Sequence, residues 1–198
     1  MSRTSRREFL LLGVAAGAAS ATPPMSVSLL PIYNKKYPPV AQEFLDAASA
    51  ALEKTYIVKV NICEPEFYEG ACDGNAVLQF LSTRSGRVMA AISAPVRAPV
   101  RFGVKTEIMD VSGWADIPND DRERPRGSVI TTFGLWNITG EATAALGVVA
   151  IHELGHNFGA WDCRDNACYM NDKIHVDRGL LARGFCQKHK DLLWQYLR

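Results

Sequence analysis

Apolar positions recur along the chain with two different periods, and the switches between them outline the elements. Val27 to Ile32 is a short apolar run, ended by Pro31 and the polar loop Asn34-Lys35-Lys36, and predicts a strand. Pro38 and Pro39 then open a stretch from Val40 to Lys54, rich in Ala and Leu at helical spacing, which predicts a helix. Tyr56 to Ile62 alternates β-branched and polar residues, which predicts a second strand. The strand–helix–strand order makes the two strands parallel neighbours with a right-handed crossover. Asp73 can cap a short helix, Asn75 to Ser82. Arg87 to Ser93 and Ser128 to Leu135 are strand-like, and Val100 to Val111 is a longer, more polar candidate strand. Ser112 to Arg126 is polar and rich in Pro and charge. It predicts a loop, with the run Asp120 to Arg124 solvated and Trp114 packing near its start. After Thr139-Gly140-Glu141, residues Ala144 to Leu154 are apolar nearly all round, the mark of a buried helix. Lys188 to Leu197 predicts a C-terminal helix. Strands and helices in this order make an α+β domain.

Composition changes this picture little. The chain has 198 residues, 47% hydrophobic and 22% charged, enough for one domain with a proper core. A net charge of +1 gives no reason to expect nucleic acid or an anionic membrane as partner. The first 21 residues stand apart. Ser5-Arg6-Arg7-Glu8-Phe9-Leu10 is a twin-arginine pattern, an apolar run from Phe9 to Ala19 follows, and Ala19-Ser20-Ala21 offers an A-x-A cleavage site. The apolar run is shorter than the ~20 residues that span a bilayer, which favours cleavage over a permanent anchor. Residues 1–21 are therefore expected to be a signal peptide and residues 22–198 the mature domain, a monomer in the periplasm or outside the cell. Cleavage removes Arg3, Arg6, Arg7 and Glu8 and takes the net charge from +1 to about −1. The twin-arginine route carries folded proteins, which suits a domain that loads a metal before export.

The chemistry concentrates in His152-Glu153-Leu154-Gly155-His156-Asn157-Phe158-Gly159-Ala160-Trp161-Asp162, or H-E-x-x-H-x-x-G-x-x-D. Residues four apart share one face of a helix, so His152 and His156 can hold one metal ion, and zinc suits their nitrogens. Glu153 then lies beside the metal rather than on it, placed to take a proton from water. Gly159 tolerates φ > 0, so the chain can turn back and offer Asp162 as a third ligand. A fourth position left open for water distinguishes a catalytic zinc from a structural one.

This motif, followed by Cys163, Cys168, Met170 and Cys186, resembles the metzincin clan of zinc peptidases and, within it, the archaemetzincins. Their pattern is H-E-x-x-H-x-x-G-x-x-H-C-x4-C-x-M followed by C-x-x-C. The chain departs from it in two ligands: Asp162 stands for the third histidine and His189 for the last cysteine. The 15-residue spacer before Cys186 is also slightly short. Snapalysins, another metzincin family, use an Asp as third ligand. The resemblance implies a single metzincin-like domain with a twisted mixed β-sheet, an active-site helix and a C-terminal helix. It implies that Met170 lies beneath the zinc ligands as a hydrophobic base, and that an antiparallel edge strand above the zinc binds peptide, for which Val100–Val111 is the candidate.

Five cysteines remain to be placed. Cys63 and Cys72 bracket a loop, and in an exported protein that spacing suggests a disulfide; the alternative is two unpaired thiols. Cys163, Cys168, Cys186 and His189 have zinc-ligand spacings and, with support from the resemblance, are expected to hold a second, structural zinc. The alternative there is one disulfide and one free thiol. His175 fits no pattern. The expected function is an exported zinc metallopeptidase, endo- or aminopeptidase, acting on a peptide or protein substrate with Glu153 as general base. Its rivals are a zinc-stabilised peptide-binding module with weak or no peptidase activity, and a snapalysin-type peptidase with disulfides in place of the second zinc.

Overall fold

The computed structural model describes residues 25–102, 104–117, 127–135, 142–171 and 184–196. The segment expected to be a signal peptide, the Asp120–Arg124 run, the Thr139–Glu141 stretch expected to open the buried helix, and His175 lie outside them. The elements are β1 (Ser26–Tyr33), α1 (Gln42–Tyr56), β2 (Lys59–Ile62), β3 (Glu66–Phe67), α2 (Gly74–Leu81), β4 (Arg87–Ile92), β5 (Val96–Phe102), β6 (Lys105–Val111), β7 (Gly113–Ala115), β8 (Ser128–Thr131), α3 (Ala142–Asn157) and α4 (Gln187–Tyr196).

The main sheet is mixed, in the order β2-β1-β4-β8-β7, with β3 continuing beside the far end of β1. β1, β2, β4 and β8 run parallel and β7 runs antiparallel along β8. This is the expected α+β arrangement, and β1 and β2 are the expected parallel neighbours across α1. Successive side chains on a strand point to opposite faces, and here both faces are covered. Val27 and Leu29 of β1, Met89 and Ala91 of β4 and Ile130 of β8 pack under α1 and α3. Leu30, Ile32, Val88, Ala90, Ile92 and Val129 face α2 through Val77, Leu78 and Leu81. That double coverage explains why β4 reads as a continuous apolar run. Small residues let α1 and α3 approach closely: a Cβ on Gly147 would stand 3.0 Å from that of Ala51. Asp73 caps α2, its carboxylate accepting from the Ala76 N–H at 3.1 Å.

Four expectations need correction. First, α1 continues to Tyr56, and the second strand starts only at Lys59. Tyr56 is drawn into the core, and the helix closes at Ile57, which takes φ +55° while 80% exposed. Second, Val100–Val111 is not one edge strand. The chain turns between Phe102 and Lys105, so β5 and β6 form an antiparallel hairpin outside the main sheet. Third, the antiparallel edge strand is Gly113–Ala115, in the stretch expected to be loop. Fourth, Cys63 and Cys72 are free thiols rather than a disulfide. Between them β3 docks on β1, and each sulfur finds a different neighbour: Asn34 Nδ2 donates to Cys72 at 3.4 Å, and Cys63 lies 3.7 Å from the Asn61 carbonyl. Trp114 packs over Gly74 and its Nε1–H donates to Asn75 at 3.2 Å.

Candidate functional site

α3 is apolar enough to be enclosed on all sides, and every residue from Ala145 to Asn157 is buried. Two of these are histidines one turn apart, and their Nε2 atoms approach to 3.0 Å. Each imidazole is fixed from behind by a backbone carbonyl. Nδ1 of His152 donates to the Tyr169 carbonyl at 2.8 Å and Nδ1 of His156 to that of Ala160 at 2.7 Å. With Nδ1 committed as donor, Nε2 faces the site and carries the lone pair whenever the ring is neutral.

The helix ends in a Schellman turn. Gly159 takes φ +79°, its N–H donates to the His156 carbonyl at 2.9 Å, and the Ala160 N–H reaches back to Gly155 at 3.0 Å. The reversal puts Ala160 where its carbonyl holds His156, and two residues later it delivers Asp162. The Asp162 carboxylate lies 3.3 Å from His152 Nε2 and 3.4 Å from His156 Nε2, and is 57% exposed. Asp162 therefore forms the open side of a three-donor group whose other two members are buried.

Charge in this group is mutually supported. Burial opposes ionisation of Asp162, but hydrogen bonds and charge from His152 and His156 hold its carboxyl well below the usual range. Burial opposes protonation of His152, yet Asp162, Glu153 and the Tyr169 carbonyl together keep its imidazole above its ordinary value. Glu153 is pushed up by burial, pulled back by His152 and His156, and pushed up again by Asp162, with a net upward shift. Its side chain fills the notch left at Gly113 of β7, where a Cβ would stand 2.5 Å from its Cγ and Oε1.

Gly155, between the histidines, is a second notch. A Cβ there would collide with the Met170 sulfur and lie 3.1 Å from the Tyr56 hydroxyl. Met170 is fully buried against α3, and the Tyr56 O–H donates to the Ile151 carbonyl at 2.6 Å. The ring of Tyr56 packs against Phe158 and Phe185.

Among the described residues, two groups have the composition and spacing to hold a metal ion, and the donor atoms within each lie within 4.8 Å of one another. The first is His152, His156 and Asp162. The second is Cys163, Cys168, Cys186 and His189. Tetrahedral zinc with bonds near 2.0–2.1 Å separates neighbouring N and O donors by about 3.3 Å. The first group's 3.0, 3.3 and 3.4 Å fit that edge length. Longer zinc–sulfur bonds put S and N about 3.5 Å apart. His189 Nδ1 is 3.4 Å from Cys168 Sγ and 3.1 Å from Cys186 Sγ, again compatible. Burial pushes the Cys168 thiol up to about 12 and the His189 imidazole down. A coordinated cation reverses the first effect, because it holds its thiol ligands deprotonated.

Sequence reasoning had not singled out Tyr56, Gly113, Tyr169 or Asn157. Tyr56 and Gly113 act on residues far along the chain, Tyr169 works through its carbonyl alone, and Asn157 passed as an unremarked position of the motif. The glycine following Ser112 was the only local hint of a close backbone approach.

No protein-family model matches the sequence. No curated protein matches it either. Solved structures do. The chain is similar to an archaemetzincin from Methanopyrus kandleri, with 22% identity, 87% of this chain and 95% of the other covered, and a TM-score of 0.64. It is similar to an archaemetzincin from Archaeoglobus fulgidus complexed with malonate, with 18% identity, coverage of 85% and 99%, and a TM-score of 0.61. It is also similar to a zinc-dependent peptidase from Methanocorpusculum labreanum, with 12% identity, coverage of 84% and 99%, and a TM-score of 0.60. The shared feature is the fold, over nearly the whole length of each.

Proposed function

We propose that this protein is a zinc-dependent peptidase of archaemetzincin type that is exported by the twin-arginine route. The observation that carries the reading is the set of three donors, His152, His156 and Asp162, at tetrahedral spacing beside the buried carboxylate of Glu153. A zinc ion held there supplies Lewis acidity, which lowers the pKa of a water and polarises a peptide carbonyl. The two backbone-anchored imidazoles need no reorientation to present Nε2. The Asp162 carboxylate adds negative charge, which makes this donor set less electrophilic than three imidazoles would be.

Glu153 moves the proton. Its carboxylate is buried beside the three donors, where it can take a proton from the attacking water and return it to the leaving amine. The Gly113 notch fixes the carboxylate at the inner edge of β7. Among the described residues no strand pairs with the outer edge of β7, which supports peptide binding there. The Thr131 N–H donates to the Ser112 carbonyl and the Asp116 N–H to the Gly127 carbonyl, so these positions turn toward β8. In an antiparallel ladder the intervening Gly113 and Ala115 turn their N–H and C=O outward. An extended substrate adds there as a further strand.

Cys163, Cys168, Cys186 and His189 are assigned to a second, structural zinc that ties the post-helix loop to α4. The mature domain is residues 22–198 and acts as a monomer outside the cytoplasm. No helix among the described residues is long and apolar enough to cross a membrane. The test is Glu153→Gln assayed on a peptide library with metal content measured in parallel. Lost turnover with zinc retained supports the general-base role. Retained turnover contradicts it, and a wild-type protein that binds zinc and peptide without turnover is the binding module instead.

A further inference from the structure

Asn157 is the last residue of α3 and directly follows a metal-donor histidine, yet its side chain points to neither group of donors. It is buried, and its Nδ2 donates two hydrogen bonds, to the Asp116 carbonyl at 3.1 Å and the Gly127 carbonyl at 2.9 Å. Those two residues form the closing rung of the β7–β8 ladder, where the Asp116 N–H donates to the Gly127 carbonyl at 3.2 Å. Gly127 is held in place independently. Its φ is +124°, and a Cβ on it would collide with the Val88 carbonyl of β4. One carboxamide therefore uses both of its protons to bind the two strands of the rung.

Asn157 is one helical turn beyond Glu153, and Glu153 fills the notch at Gly113, at the opposite end of β7 from Asp116. α3 thus grips the edge strand at both ends, by the proton-carrying carboxylate at one and by Asn157 at the other. We infer that Asn157 is a positioning residue that sets the register of the β7 edge against Glu153 and the metal donors. It thereby sets where the scissile bond of an extended peptide falls. The inference rests on the peptidase reading. Its consequence is selective: a substrate that spans β7 depends on the register, and one too short to lie along the strand does not. A displacement of about 1 Å at such a contact can cost on the order of 100-fold in rate.

The experiment compares wild type with Asn157→Ala, which removes both donors, and Asn157→Ser, which keeps one hydroxyl donor and guards against a folding failure of the first. Metal content and hydrogen exchange at the Asp116 amide are measured first. Then kcat and KM are measured on a fluorogenic octapeptide and on a dipeptide amide of the same cleaved bond. The expected result is unchanged metal content and faster Asp116 exchange. With it goes a fall in kcat/KM of about 10-fold or more on the octapeptide, mainly through kcat, and little change on the dipeptide. Equal losses on both substrates, loss of metal, or unchanged Asp116 exchange overturns the inference. If wild type cleaves nothing, the peptidase reading fails on its own, and the exchange data still show whether Asn157 holds the strand.

Discussion

The two groups of metal donors are joined in sequence at Asp162–Cys163, yet they are built on different plans. The first is a tripod with one open side: two histidines buried on a helix, each clamped through Nδ1, and an aspartate mostly exposed on the returning loop. The second is closed: four donors from the loop and the start of α4, with Cys168 and His189 fully enclosed. Backbone amides of Met170 and Cys186 also point at the Cys168 sulfur, at 3.4 and 3.3 Å. Three donors with an open side suit chemistry at a metal, whereas four protein donors, enough to fill a tetrahedral shell, suit a staple. Adjacent residues can thus serve opposite ends, because exposure and donor number set the role more than position in the chain does.

The sharpest way to break this contrast is Glu153→Gln. It should lower kcat by about 100-fold to 10,000-fold while both groups keep their zinc, read by steady-state kinetics beside elemental analysis. Cys186→Ser attacks the other plan. It should remove the second zinc and lower the melting temperature, by on the order of 10 °C, because a structural zinc contributes directly to folding. Stripping the first zinc with a mild chelator should abolish turnover and move the melting temperature far less. Gly113→Ala should drive a methyl into the Glu153 carboxylate and lower kcat by about 10-fold with metal content unchanged, which separates carboxylate placement from metal binding. The smallest effect is expected of Tyr56→Phe. Losing the buried bond to the Ile151 carbonyl should cost about 1–2 kcal/mol in a denaturant titration and weaken the first zinc more than the second.

How far the sequence was legible follows the range of the interactions. Strands β1, β4 and β8 and the buried α3 showed themselves through periodicity, because burial acts on local pattern. The spacing of His152, His156, Gly159 and Asp162 is local too, a helical turn and then a Schellman reversal, and the structure brings these donors together. What stayed hidden depends on distant partners. Tyr56 reaches a carbonyl 95 residues away, and its β-branched neighbours read as strand although the core pulls the residue into a helix end. Gly113–Ala115 has three residues and no alternation, and it exists as a strand only because β8 and α3 are there to receive it. Asn157 gave no sign of spanning 41 residues to Asp116. The Cys63–Cys72 spacing, which suggests a disulfide, does not reveal that β3 docks on β1 between the two thiols.

The most direct measurement is zinc per chain by elemental analysis in purified mature protein, with wild type beside Cys186→Ser and His152→Ala. Two zinc ions in wild type, falling to one in each variant, with peptidase activity lost only in His152→Ala, is the result expected of one open and one closed site. No zinc in wild type, or a single zinc that Cys186→Ser leaves in place, would contradict it.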